Sequence, residues 1–199
     1  MLSAVLGNLR SAQKALQRVG ANAVLTSDHS VIESADAVVL PGVGAFGACM
    51  GALRDADLES VVHRVVNKGV PFLGICVGMQ MLFDESQEDP LVRGLGIIPG
   101  TVQWIPNSVP RPQMQWNQLN ISVDDPMFTG LGDKPWMYFV HSFHGVPTNS
   151  ANTIATVQYG GALNVVFRRD NVFATQCHPE KSANDGLKLL ANFVQWARS

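Results

Sequence analysis

One cysteine stands where a polypeptide can make it a nucleophile. In Gly74-Ile75-Cys76-Val77-Gly78 an apolar run over residues 71–75 feeds Cys76 into a turn, and a helical pattern follows over residues 77–83. Small flanking residues let such a strand-to-helix bend close tightly and present the side chain at its tip, as in a G-x-S-x-G elbow with sulfur in place of oxygen. A thiol at a helix N-terminus meets the positive end of the macrodipole, which favours the thiolate, the form that attacks carbonyl carbon. The chemistry implied is acyl transfer through a thioester, and it requires a base.

The candidate base lies far downstream, where the strand-like run over residues 172–177 ends in His178-Pro179-Glu180. A histidine at a strand end can face a cleft. A carboxylate two residues on can hold the ring in one tautomer and stabilise the imidazolium, and Pro179 fixes the bend between them. Taken singly, these residues read as a satisfied histidine, a solvated acid and a small buried hydrophobe. Taken together, Cys76, His178 and Glu180 form a nucleophile, base and orienting carboxylate.

Elements must bring those residues together. Leu9, Ala12, Leu16 and Val19 recur at helical spacing, with Asn8 as N-cap and Gly20 as the stop, and a strand follows over residues 23–26. Residues 37–40 read as a second strand ending in a Pro-Gly loop. Leu58, Val61, Val62, Val65 and Val66 mark a helix closed by Gly69, ahead of the strand at residues 71–75. Short apolar strands alternating with amphipathic helices imply an α/β fold, a parallel sheet with helices on both faces and ligands beyond the strand C-termini. Pro41 and Cys76 both fall there. From about residue 94 to 167 strand-like runs at 95–104, 119–123, 136–142, 153–159 and 164–168 imply a β-rich, mixed or antiparallel extension of the sheet, with residues 106–112 as a surface loop. A final helix carries Leu187, Leu190, Ala191 and Val194, starting near Ser182 or Asn184. Met50, Met79 and Met81 read as core fillers, His141 as structural and Cys177 as a buried hydrophobe.

A chain of 199 residues with 46% hydrophobic content is long enough for one sizeable core, so residues 1–199 are expected to form a single domain. A formal charge of −2 and a pI near 6.2 leave no basic footprint for nucleic acid or an anionic membrane. Cys49, Cys76 and Cys177 are an odd number without C-x-x-C spacing, which argues against a disulfide framework or zinc site and fits a reducing cytoplasm. No secretory leader and no apolar run long enough for a membrane span are apparent.

The G-I-C-V-G-M-Q elbow and H-P-E-K-S at 178–182 resemble the triad, or class I, glutamine amidotransferases. Gly7-Asn8-Leu9-Arg10-Ser11, Pro41-Gly42-Val43-Gly44-Ala45-Phe46, Trp116-Asn117 and Tyr138-Phe139-Val140-His141-Ser142 narrow the resemblance to the glutaminase subunits of imidazole glycerol phosphate synthases. It covers nearly the whole chain and implies a flavodoxin-like sheet. It also implies hydrolysis of L-glutamine without metal or organic cofactor, and delivery of the ammonia to a separate (βα)8-barrel cyclase subunit in histidine biosynthesis.

Amide hydrolysis through a tetrahedral oxyanion needs preorganised N–H donors. The amide of Val77 is one source and the Gly42-Val43-Gly44 loop another, unless that loop is an ordinary turn. The resemblance makes Val43 the residue whose amide must turn inward, which would leave the resting site inactive. It also implies Gln80, Glu88, and the backbone of Ser142 and Phe143 as substrate-binding groups, and Asn8, Trp116, Asn117, Tyr138 and Lys181 as partner contacts. On residue type alone Gln80 and Glu88 would be solvated, Glu88 lying in the acidic run 84–89.

Two departures from the family pattern are evident. Residues 1–6 replace a longer first strand ending in an Asp-x-Gly turn, so that strand is expected to be shortened or lost. Gln113 and Gln115 stand where the family has His and Gly, in an expected turn over residues 112–117. The alternatives are a glutaminase serving another synthase, such as that of pyridoxal phosphate or anthranilate formation, a stand-alone γ-glutamyl thiol hydrolase, and a non-catalytic assembly subunit.

Overall fold

The strands that flank the nucleophile are buried along their whole length. In the computed structural model, which describes residues 2–5 and 10–199, the first half of the chain runs β1 (Leu2–Val5), α1 (Arg10–Arg18), β2 (Asn22–Leu25), α2 (His29–Glu33), β3 (Ala37–Gly42), α3 (Phe46–Asp55), α4 (Glu59–Asn67), β4 (Phe72–Cys76) and α5 (Val77–Gln80). Every residue of β3 and β4 is buried, as a strand covered by helices on two faces requires. In α4 the buried Val61, Val62 and Val65 give one apolar stripe.

The second half is β-rich, as expected: β5 (Glu85–Ser86), β6 (Gly100–Trp104), β7 (Gln113–Gln118), β8 (Asn120–Ile121), β9 (Trp136–His141), β10 (Phe143–Pro147), β11 (Thr153–Gln158), β12 (Ala162–Arg169) and β13 (Val172–Thr175), before the closing α6 (Ala183–Trp196). Among the described residues the main sheet has eight strands in the order β2-β1-β3-β4-β13-β12-β11-β8. The first five are parallel, in a flavodoxin-like order, and β12, β11 and β8 extend it antiparallel. The β1 to β2 crossover runs one way along the sheet and the β3 to β4 crossover the other. Right-handed crossovers therefore put α1 and the α3–α4 pair on opposite faces, where α1 packs on α6 and α4 on α2. Two smaller sheets, β10-β6-β5 and the ribbon β7-β9, stand beside the main one.

The first strand, expected to be shortened or lost, is short and present. Leu2–Val5 is not lost: it sits inside the sheet, paired with β2 along all four residues and with β3 through Ser3, Ala4 and Val5. Four residues suffice because β2 is itself only four residues long. The expected N-cap at Asn8 lies outside the described residues.

Two other elements differ. The helix after the nucleophile ends at Gln80 instead of running to residue 83: the amides of Leu82 and Phe83 turn to the carbonyls three residues back, and the carbonyls of Met81, Leu82 and Phe83 accept from Leu95, Ile98 and Gly96. The same bonds explain why the run from residue 95 becomes a strand only at Gly100. The expected turn over residues 112–117 is instead mostly the strand β7, whose polar composition, Q-M-Q-W-N-Q, hides it.

Candidate active site

β4 delivers Cys76 to the C-terminal edge of the sheet, with β3 on one side and β13 on the other. Gly42 is the register partner of Cys76, and Thr175 that of Ile75. The three strands thus release the Gly42-Val43-Gly44 loop, the nucleophile and the Gln176-Cys177-His178 segment at one level.

Cys76 has φ 54° and ψ −115°, a left-handed backbone that only a well-packed surrounding sustains in a residue with a side chain. That packing is backbone against backbone. A Cβ on Gly78 would lie 1.9 Å from the carbonyl oxygen of Leu40, and one on Gly42 would lie 2.6 Å from the amide nitrogen of Gly78. The elbow is therefore wedged against the end of β3.

His178 and Glu180 approach from β13 and the 3-10 turn Pro179–Lys181. The Glu180 carboxylate sits 2.8 Å from His178 Nδ1, with both side chains 2% exposed, and Cys76 lies near enough to the ring to act on its charge. Burial opposes the imidazolium, but the neighbouring Cys76 and the hydrogen-bonded Glu180 carboxylate outweigh it and raise His178 to about 9. The histidine backbone is held as well. Its N–H donates to the carbonyl of Tyr138, and the Ser182 hydroxyl donates to the carbonyl of His178 while accepting from the amide of Tyr138.

Around the thiol lies a cavity of about 180 Å³ lined by Gly44, Val77, Gln80 and Glu88 on one side and by Pro112, Val140, His141, Ser142 and Phe143 on the other. It brings together all four expected substrate-binding residues and two of the three expected oxyanion residues. Val43 itself is 50% exposed, and its carbonyl accepts from the Cys49 thiol at 3.3 Å. Gly44 has φ 92°, a conformation open to glycine. Glu88 is not a purely solvated acid, because one of its oxygens accepts from the amide of Phe46 at the start of α3.

The remaining residues sort by burial. His141 is structural, with Nδ1 2.6 Å from the carbonyl oxygen of Phe143 and Nε2 2.9 Å from the Gln113 amide. Burial lowers His141 to about 4, so at neutral pH Nε2 carries no proton and the Gln113 amide must present its NH2 to it. Gln113 is wholly buried, whereas Gln115 is exposed. Burial pushes the Cys177 thiol up to about 12, and its sulfur meets the Thr175 hydroxyl.

On the ribbon β7-β9, Trp116 faces Tyr138 edge to face at 6.0 Å. Met114 and Trp136 are exposed beside them. Lys181 is exposed nearby in sequence to the histidine, while Asn117 spends its side chain on Gln158 and Gln118. Asn8 lies outside the described residues. Gln176, missed in the sequence, is wholly buried and reaches both Cys76 and Gln80. Its signal was a single amide in an otherwise apolar strand end, two residues before the histidine.

The family model described as glutamine amidotransferase class-I matches residues 3–196. Similar relatives include the "Imidazole glycerol phosphate synthase subunit HisH" of Synechococcus elongatus, 48% identical over 95% of this chain and 88% of that protein. The subunit of the same name from Methanothermobacter thermautotrophicus is 46% identical over 97% and 96%, and that from Salinibacter ruber 45% over 95% and 90%. Among solved structures, one described as "Crystal structure of glutamine amidotransferase" superposes with a TM-score of 0.78 at 23% identity, covering 99% of both chains. Another, "Structure of PurLQS from Thermotoga maritima", gives 0.77 at 18% identity over 98% of both. At those identities the two structures speak for the fold alone.

Proposed function

The chain belongs to the class I glutamine amidotransferases, within the HisH glutaminase subunits of imidazole glycerol phosphate synthase, and from that premise we propose how its residues carry out the reaction. It is a glutaminase of histidine biosynthesis that hydrolyses L-glutamine to glutamate and ammonia. Cys76 is the nucleophile, His178 the acid and base, and Glu180 the residue that orients and charges the imidazole. The Cys76 thiolate adds to the side-chain amide carbon, and the imidazolium gives its proton to the nitrogen, which leaves as ammonia. Neutral His178 then takes a proton from water as the hydroxide adds to the thioester. Collapse of that intermediate releases glutamate and restores the thiolate and imidazolium.

The observation that carries this reading is the buried pair of His178 and Glu180 at 2.8 Å, beside a cysteine in left-handed backbone. The amides of Val77 and of Val43 or Gly44 are the oxyanion donors, and Gln80, Glu88 and the backbone of Ser142 and Phe143 hold the amino acid. Glu88 supplies negative charge for the substrate ammonium. Ammonia released into bulk water would be protonated and diluted. The product therefore passes to a (βα)8-barrel cyclase subunit, which makes imidazole glycerol phosphate and the aminoimidazole carboxamide nucleotide in the cytoplasm.

The docking face for that subunit is the exposed side of β7-β9, around Trp116 and Tyr138, with Lys181. Tyr138 also holds the amide of His178, so this face adjoins the base directly. Turnover is low in the free chain and rises when the liganded cyclase turns the Val43 amide inward. A hundredfold activation requires about 2.7 kcal/mol of coupling. Glutamine hydrolysis measured for the free chain, the complex, and the complex with cyclase ligand tests this. A stepwise rise supports the reading, and equal rates in all three refute the gating.

A further inference from the structure

The side chain that touches the nucleophile and takes no part in the steps above is Gln176. We propose that Gln176 positions the glutaminase site by donating a hydrogen bond to the Cys76 thiolate while fixing the amide of Gln80. The inference rests on the reading of Cys76 as nucleophile.

Gln176 leaves the end of β13 with its own N–H bound to the carbonyl of Val165, so its backbone is anchored in the sheet. Its side chain is 0% exposed, and that of Gln80 is 3%. The Gln80 NH2 donates to Gln176 Oε1 at 3.0 Å, and the Gln176 NH2 is directed at Cys76 Sγ at 3.7 Å. The longer contact reflects the size of sulfur.

A buried amide NH2 without an acceptor is destabilising, so the direction of this chain carries information. With sulfur as thiolate, each NH2 group has an acceptor: Gln80 donates to Gln176, and Gln176 donates to sulfur. Gln80 then keeps its carbonyl oxygen for the cavity it lines, suited to accept from a substrate ammonium or amide. With sulfur as a thiol that donates, both amides must turn over, and Gln80 would offer NH2 instead. The relay thus links the ionisation of Cys76 to the polarity of the substrate wall. Other titratable groups around the thiol are His178, Glu180, Cys49, Cys177, Glu88 and His141, of which His178 and Glu180 act most directly on the proton.

The test compares wild type, Gln176→Met, Gln80→Met and the double variant, each assembled with the cyclase. Glutamine kcat and KM are measured, together with the pH dependence of iodoacetamide alkylation at Cys76 read on the isolated peptide by mass spectrometry. Gln176→Met is expected to lower kcat about tenfold and to move the alkylation inflection up by about one pH unit. The double variant should be no slower than the slower single one, because the two amides act as one chain. Should Gln176→Met fail to fold, Gln176→Leu fills the site without a polar atom and carries the same expectation. An unchanged alkylation profile, or losses that simply multiply, would overturn the relay. Alkylation reports on the sulfur whether or not glutamine turns over. Failure of the nucleophile assignment would appear separately, as turnover surviving Cys76→Ala.

Discussion

Gly42 lies directly opposite Cys76 across the parallel pair β3–β4. The loop with the candidate oxyanion donors and the nucleophile therefore leave adjacent strand ends at the same height. Their separation is set by backbone contact, since no side chain intervenes between Gly42 and Gly78. The sheet register does the positioning, and loop flexibility is left only to the residues beyond it.

Gly78→Ala tests that wedge. Its Cβ would meet the carbonyl oxygen of Leu40 at 1.9 Å, and neither backbone can yield without moving β3 or the elbow. The variant should lose about 1–3 kcal/mol in urea unfolding and at least about tenfold in glutamine turnover. Wild-type activity would mean that the elbow tolerates displacement.

Glu180→Gln separates orientation from base strength. The amide oxygen can still accept from Nδ1, so the tautomer survives, but the negative charge that helps raise His178 is gone. We expect kcat to fall about 10- to 100-fold, and the His178 NMR titration to move below about 9. An unchanged titration would reduce Glu180 to a structural carboxylate.

His141 and His178 predict a stability maximum. His178 is raised from 6.5 to about 9, so its contribution is complete below pH 6.5 and is lost as pH rises toward 9. His141 is lowered from 6.5 to about 4, so its contribution is complete above pH 6.5 and is lost as pH falls toward 4. Urea unfolding across this range should show both limbs, and His141→Phe should flatten only the acid one.

Asp125 offers a control away from the chemistry. Its carboxylate takes two hydrogen bonds from Arg168, whose guanidinium lies 4.2 Å from the Trp196 ring, and it also caps the turn Pro126–Phe128. Asp125→Ala should cost about 3 kcal/mol because it strands a mostly buried cation. Turnover of the protein that remains folded should be unchanged. A loss of turnover in that fraction would mean that β12 communicates with the site.

The meeting of Cys76, His178 and Glu180 was readable because each sits beside local punctuation: glycines around Cys76 and a proline between His178 and Glu180. The parallel core was equally plain from its apolar strands. What escaped was pairing between distant polar segments. β7 carries Gln113, Gln115, Asn117 and Gln118, and its strand character comes from β9 alone. For β1 the sequence left open whether the strand was shortened or lost, because its place in the sheet is set by the partners on either side. Gln176 gave only a faint signal, because its meaning depends on Gln80 and Cys76, which are close to it only in three dimensions.

The most direct measurement is covalent trapping with a diazoketone analogue of glutamine, applied to the chain alone and mixed with the proposed cyclase subunit, followed by peptide mass mapping. A single adduct on Cys76, blocked by excess glutamine and matched by loss of hydrolysis, is the predicted result. An adduct on Cys49 or Cys177, or full turnover by Cys76→Ala, would contradict the account.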